Sequence, residues 1–94
     1  MHTPVVQLST DPLRAAEVEV HFRQDIVPWA RRQSGFVGGQ WLRSTDGRSG
    51  LGVVVFESEA AAGAAAAGPR KYRRDDTRAW NVETVMVLEQ VASA

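Results

Sequence analysis

Three tryptophans in a chain of 94 residues, Trp29, Trp41 and Trp80, are the first candidates for ligand contact. Flat indoles can line a pocket for an aromatic molecule, and the same rings serve equally as core or interface packing. Trp80 is followed by Asn81, an indole and an amide that together could orient a phenolic ligand. Tyr72 sits in the run Arg70-Lys71-Tyr72-Arg73-Arg74-Asp75-Asp76-Thr77-Arg78, which concentrates positive charge around one phenol. Such a run can close as a lid over an anionic or phenolate ligand, or lie as a solvated loop partly neutralised by Asp75 and Asp76. Glu19 and Arg23, four residues apart, have the spacing of a helix-surface ion pair; the alternative is a polar couple facing a pocket.

Other chemistry is poorly provided for. There are no cysteines, which removes disulfides, thiolate metal sites and a cysteine nucleophile. His2 and His21 are too isolated in sequence to suggest a metal cluster. No flavin, nicotinamide or metal signature is present, so no cofactor is expected. Any oxygenation would have to draw on an electron-rich carbanion of the substrate itself. A formal net charge of zero argues against a general nucleic-acid or membrane-surface binder. No stretch is long and apolar enough to span a bilayer. Met1-His2-Thr3-Pro4 lacks a basic start followed by an apolar run, so no signal peptide and a cytoplasmic location are expected.

The elements that must position these residues can be read in order. Ninety-four residues suit a single domain, 1–94, whose modest core would gain from an extra interface. Val5-Val6-Gln7-Leu8 reads as a first strand. Asp11-Pro12 starts a helix that should run to about Gln33 and stop at Ser34-Gly35. At about 100° per residue its polar wedge holds Arg14, Glu17, His21, Asp25 and Pro28, which makes His21 a solvated residue. The apolar arc is wider than one sheet requires, so either the helix meets a second element or Pro28 kinks it. Phe36–Leu42 reads as a second strand, whose Gly38-Gly39 suggests a bulge or close approach. Asp46-Gly47 marks a hairpin turn and Leu51–Phe56 a third strand. Ser58 caps a short helix, Glu59–Ala67, closed by Gly68-Pro69. A charged loop from Arg70 to Ala79 leads to a last strand, Trp80–Val91.

The order is βαββαβ, an α+β ferredoxin-like arrangement with a four-stranded antiparallel sheet. In a lone domain of this kind one sheet face meets water and its strands alternate apolar with polar. Here Val53 and Val55 point one way and Val54 and Phe56 the other. In the last strand Val82, Met86 and Leu88 are placed on one face, with Val85, Val87 and Val91 opposite. Two apolar faces imply a homodimer through the open sheet face.

Three segments carry a family resemblance: Gly35–Leu42 (GFVGGQWL), Val53–Ala61 (VVVFESEAA) and Val82–Val85 (VETV). With them the chain resembles the antibiotic-biosynthesis monooxygenase type of small domain, in the dimeric α/β-barrel superfamily. That resemblance implies two sheets packed into a barrel, a pocket in each subunit between sheet and helices, and, in some members, cofactor-independent oxygenation of polycyclic aromatics. Other members degrade haem, using a histidine on the second helix and an asparagine on the first strand. Here Phe56 stands where the family commonly has Trp, Glu59–Ala67 holds no histidine, and Gln7 is the nearest residue to the asparagine. Haem degradation is therefore not expected.

RNA-recognition motifs share the element order. Their third strand requires two stacking aromatics, but Ser49-Gly50-Leu51-Gly52-Val53-Val54-Val55-Phe56 offers Leu51 and Val53 at those positions. Two readings remain: a cofactor-independent monooxygenase for a small aromatic, polyketide-like substrate, and a non-enzymatic ligand-binding or structural dimer module.

Overall fold

The Asp11 carboxylate accepts the Leu13 amide at 2.9 Å, and Pro12 follows as the first residue of a helical run. The computed structural model describes residues 1–94. Its order is β1 (His2–Thr10), a 3₁₀ turn (Pro12–Arg14), α1 (Ala15–His21), a π-helical turn (Phe22–Ile26) and α2 (Val27–Arg31), then β2 (Phe36–Arg43), β3 (Ser49–Phe56), α3 (Glu59–Arg70) and β4 (Trp80–Glu89). The antiparallel sheet has the order β2-β3-β1-β4, so the two strands that follow helices take the edges. Ser58 caps α3 by accepting the Ala61 amide at 3.1 Å. The β2–β3 turn is closed by Asp46, which accepts from the Ser44 hydroxyl and the Arg48 amide, while Gly47 takes φ +75°. No helix is long and apolar enough to cross a membrane.

The helices cover one sheet face. One cluster joins Leu8, Val18, Phe22, Ala79 and Trp80; the other joins Ala30, Val54, Phe56, Ala62 and Ala65. Phe56 is 1% exposed and meets Phe36 edge-on. Burying each large apolar side chain stabilises the fold by roughly 1.5–3 kcal/mol. Alanines on α3 let that helix lie close to the strands.

Four details depart from the sequence reading. First, the helix expected to run unbroken to about Gln33 is interrupted before Pro28. The turn there widens, the Val27 amide reaches back to the Phe22 carbonyl, five residues away, and the two halves keep separate faces. A proline has no N–H and its ring clashes with the carbonyl four residues earlier in a regular helix; one extra residue in the turn makes room for it. Second, Gly68-Pro69 does not end α3, which continues to Arg70. Gly68 is a point of close approach: a Cβ there would stand 2.7 Å from Cζ2 of Trp29.

Third, β1 reaches back to His2 through Pro4 although it lies between two strands. Its ladder to β3 skips Thr3 and Pro4, where proline has no N–H to give, while pairing with β4 continues through Pro4 and Val87. Fourth, the register between β1 and β4 shifts after Gln7, leaving Glu83 as an extra residue in β4. The bulge moves Val82 to the helix-covered face with Val85 and Val87, opposite Leu8, Val6 and Pro4. Met86 and Leu88 stand on the open face, and Val91 lies beyond the strand. A second irregularity between Phe36 and Gly38 is the bulge that the paired glycines suggest.

Candidate functional site

Between the helices and the covered sheet face lies a cavity of about 560 Å³. Its floor is Pro4, Val6 and Leu8 of β1 with Gly52, Val54 and Phe56 of β3, alternate residues that share one face. Trp41 from β2 and Trp80 from β4 wall it on either side; Trp29 from α2 and Tyr72, just after α3, complete the aromatic lining. His21, Gln24, Asp25 and Arg32 supply most of the polar lining, and the last three are exposed.

Glycines seat two of the indoles. Trp41 lies against Gly52 and Gly39, where an added Cβ would meet ring atoms at 3.2 Å. Trp29 lies against Gly68 in the same way. The sequence marks Gly39 as part of a bulge or close approach and Gly68 as a helix stop, and gives Gly52 no such role; tertiary contact reveals all three as beds for flat rings.

The Trp80 indole N–H donates to Nδ1 of His21 at 2.9 Å, and the two rings are 5.4 Å apart. Nε2 of His21 is 3.5 Å from Oδ2 of Asp25. His21 is therefore not simply a solvated residue of the polar wedge: its side chain stays 36% exposed, but Nδ1 is turned in to the Trp80 indole. Helical periodicity assigns a face but cannot register a specific acceptor required by a buried indole N–H. His21 is the site residue the sequence reading leaves out; the signal for it is its place beside Phe22, on the border of the apolar arc.

The other candidates are distributed differently. Asn81 is buried, but its neighbour Trp80 faces the cavity and successive strand side chains point to opposite sides. Its amide is used by the 71–79 loop: Oδ1 accepts from the Asp75 amide and from Arg78, and Nδ2 donates to the Asp75 carbonyl. Glu19 does not pair with Arg23. It bonds Arg43 of β2 at 2.8 Å, and that guanidinium holds its carboxyl below the usual range. Arg23 is exposed, and neither residue lines the cavity.

The 71–79 loop is fastened at several points. Arg78 lies over both Tyr72 and Trp80, 5.2 and 5.7 Å from their ring centres. Tyr72 and Trp80 are 5.2 Å apart. Arg74 bridges Asp76 and Glu83, and the Thr77 hydroxyl and amide both donate to Asp75. The Thr77 bonds hold the Asp75 carboxyl below its ordinary range. Ser9 and Arg74 do the same for Glu83.

No three histidine, cysteine, aspartate or glutamate side chains gather as a metal site. For a haem the lining is also a poor match. α3 carries only glutamate, alanine, glycine, proline and arginine, none an iron ligand through imidazole or sulphur. The one histidine on the cavity has its Nδ1 lone pair engaged by the Trp80 N–H, which leaves the ring proton on Nε2 and no lone pair for iron.

No family model and no curated protein matches the sequence. Solved structures do. The chain is similar to the haem degrader MhuD of Mycobacterium tuberculosis, solved with two haems bound in its active site (TM-score 0.74, 20% identity, 100% of this chain and 99% of that one). It is similar to HapK of Hahella chejuensis (TM-score 0.72, 17% identity, 100% and 96% of the two chains). It also resembles the monooxygenase ActVA-Orf6 of Streptomyces coelicolor, solved with nanaomycin D (TM-score 0.66, 16% identity, 99% and 89%). At these identities the likeness is one of fold, and it extends over nearly the whole of each chain. The chain thus has the ferredoxin-like α+β fold and shares it with these three proteins.

Proposed function

We propose that the cavity binds a small flat aromatic molecule and that the protein works as a homodimer, oxygenating a polyketide-like substrate without a cofactor. The observation that carries the reading is the aromatic enclosure: Trp29, Trp41, Tyr72 and Trp80 around about 560 Å³ of largely apolar space. That volume suits a two- to four-ring ligand within the range of small-molecule sites, roughly 300–1,000 Å³. The fold shared with the nanaomycin-bound monooxygenase supports the same substrate class. The protein's part would be to bind the substrate away from water and hold it for reaction with dioxygen.

Support for the dimer comes from the open sheet face, where Val5, Val53, Val55, Met86 and Leu88 lie uncovered or half-covered. Met86 is 51% and Leu88 45% exposed, and contiguous apolar surface of this kind marks an interface.

Anthrone is a direct probe, because its ring carbon ionises without a strong base. Oxygenation consumes one dioxygen per anthrone and yields anthraquinone and water, the CH2 carbon supplying all four electrons and both hydrogens. Catalysed dioxygen uptake with anthraquinone formation supports the enzyme. The engagement of His21 Nδ1 favours a second reading, a binding module, because the cavity's one imidazole then has no free nitrogen lone pair to act as base. Saturable anthrone binding with no uptake above the uncatalysed rate would select that reading.

A further inference from the structure

We infer that His21 is the cavity's ligand-discriminating hydrogen-bond donor, held by Trp80 with its proton on Nε2, and that it selects flat aromatic ligands bearing a neutral carbonyl oxygen over their hydrocarbon counterparts. The inference rests on the aromatic reading of the cavity and names the functional group that reading leaves open.

An indole N–H can only donate. At 2.9 Å from Trp80 Nε1, Nδ1 of His21 must therefore be the acceptor, with its lone pair directed at Trp80. A neutral imidazole has one N–H, so the proton resides on Nε2. The cationic ring, with N–H groups at both nitrogens, is incompatible with this bond. The tautomer is thus set by a residue 59 positions away in sequence, beside it on the same side of the cavity.

Nε2 has no hydrogen-bond partner of its own. Asp25 Oδ2, at 3.5 Å, lies beyond the roughly 2.7–3.2 Å of an N–H···O bond. His21 and Asp25 both line the cavity and their side chains are 36% and 69% exposed, so the unused N–H belongs to the cavity's solvent-facing rim, where a ligand enters. The lining is apolar and aromatic over most of its area. Of its polar side chains Gln24 and Arg32 are exposed while His21 is held by a bond to another lining residue, so this donor has a large share in orienting whatever enters. The neighbouring Asp25 carboxylate repels an anionic oxygen, which makes a ketone or quinone carbonyl the better acceptor than a phenolate or carboxylate. Trp80 is a positioning residue in this scheme: it touches the ligand as a wall and acts on recognition through the imidazole.

The π-helical turn supports the arrangement. It begins at Phe22, directly after His21, so His21 and Val18 keep the phase of α1 while Pro28, Trp29 and Arg32 follow a different one. Both segments nevertheless contribute to the same cavity.

Two measurements test the inference. The first is ¹⁵N NMR of the imidazole nitrogens in the unliganded wild-type chain, with His2→Gln leaving a single histidine to assign. A pyridine-like Nδ1 with a protonated Nε2 is expected, and Trp80→Phe should release the ring to a mixture of tautomers. A proton on Nδ1 in the wild type, or an unchanged tautomer in Trp80→Phe, overturns it. The second is equilibrium dialysis with 9-fluorenone and fluorene, which differ by one carbonyl on the same flat frame. Wild type should prefer fluorenone by roughly 2- to 10-fold, the value of one hydrogen bond, and His21→Phe should abolish the preference while still binding both. Equal binding of the two by the wild type overturns the inference and leaves the aromatic cavity intact. Binding of neither overturns both.

Discussion

Gly68 and Trp29 are fitted to each other so closely that a methyl group on the glycine would stand 2.7 Å from Cζ2 and 3.0 Å from Cη2 of the indole. Gly68→Ala must push that ring out of its place, and the open direction is the cavity. The alanine itself favours the helix by about 1 kcal/mol, whereas overpacking costs about 1–3 kcal/mol. The expected result is a lower melting temperature together with weaker binding of flat aromatics. Gly63, with nothing within 4 Å of an added Cβ, is the control: Gly63→Ala should raise the melting temperature and leave binding unchanged.

Arg78 connects the loop to the aromatic wall through its stacking on Tyr72 and Trp80 and its bonds to the Arg73 and Trp80 carbonyls and to Asn81. Arg78→Ala removes contacts worth about 0.5–1 kcal/mol per ring at a partly exposed site. Amide exchange from Tyr72 to Thr77 should quicken while exchange in β1 and β3 stays as it was. An unchanged loop would mean that Arg74 and Asp75 hold it alone.

Acid should free the same loop before it unfolds the sheet. Asp75 and Glu83 have folded-state values below their ordinary ones, Asp75 through Thr77 first and Glu83 through Ser9 and then Arg74. Depressed carboxyl values mean that the stabilisation is complete above the ordinary carboxylate range, about pH 4, and is lost as pH falls through the lowered values. Loop amide signals should therefore be insensitive between neutral pH and about pH 5, then shift on further acidification. Asp75→Asn should produce the loosened state already at neutral pH.

Charge on the open sheet face should separate a dimer. Val5 and Met86 are directly paired across β1 and β4, and Met86→Glu places a carboxylate in the middle of the apolar strip. Light scattering after gel filtration should give twice the chain mass for the wild type and the single chain mass for Met86→Glu. A wild-type monomer would remove the dimer from the proposed function.

The order of elements was legible because its signals are local. Asp11-Pro12, Ser58 and Asp46-Gly47 act within three residues of themselves, and each does in the structure what its chemistry implies. The faces of β4 were not legible, because one extra residue at Glu83 reverses the alternation and leaves no local trace in a strand so rich in valine. The aromatic walls could be named but not arranged. Trp41 and Trp29 depend on glycines in other elements, and the His21–Trp80 bond spans 59 residues. Glu19 found a partner on β2 where spacing pointed to one on its own helix.

The widened turn at Phe22–Ile26 gives the first helical run two angular scales with different zeros. Everything before it is aimed by Asp11 and the sheet; everything after it is offset by the one residue that the turn absorbs. Deleting a single residue from that turn would remove the offset and restore a regular helix in which α2 keeps its aim, with Ala30 still in the core and Trp29 still against Gly68. The Pro28 ring would then stand against the carbonyl four residues before it. A change of length by one residue, with no change in residue type, would therefore leave both walls of the cavity standing and put the strain at the proline.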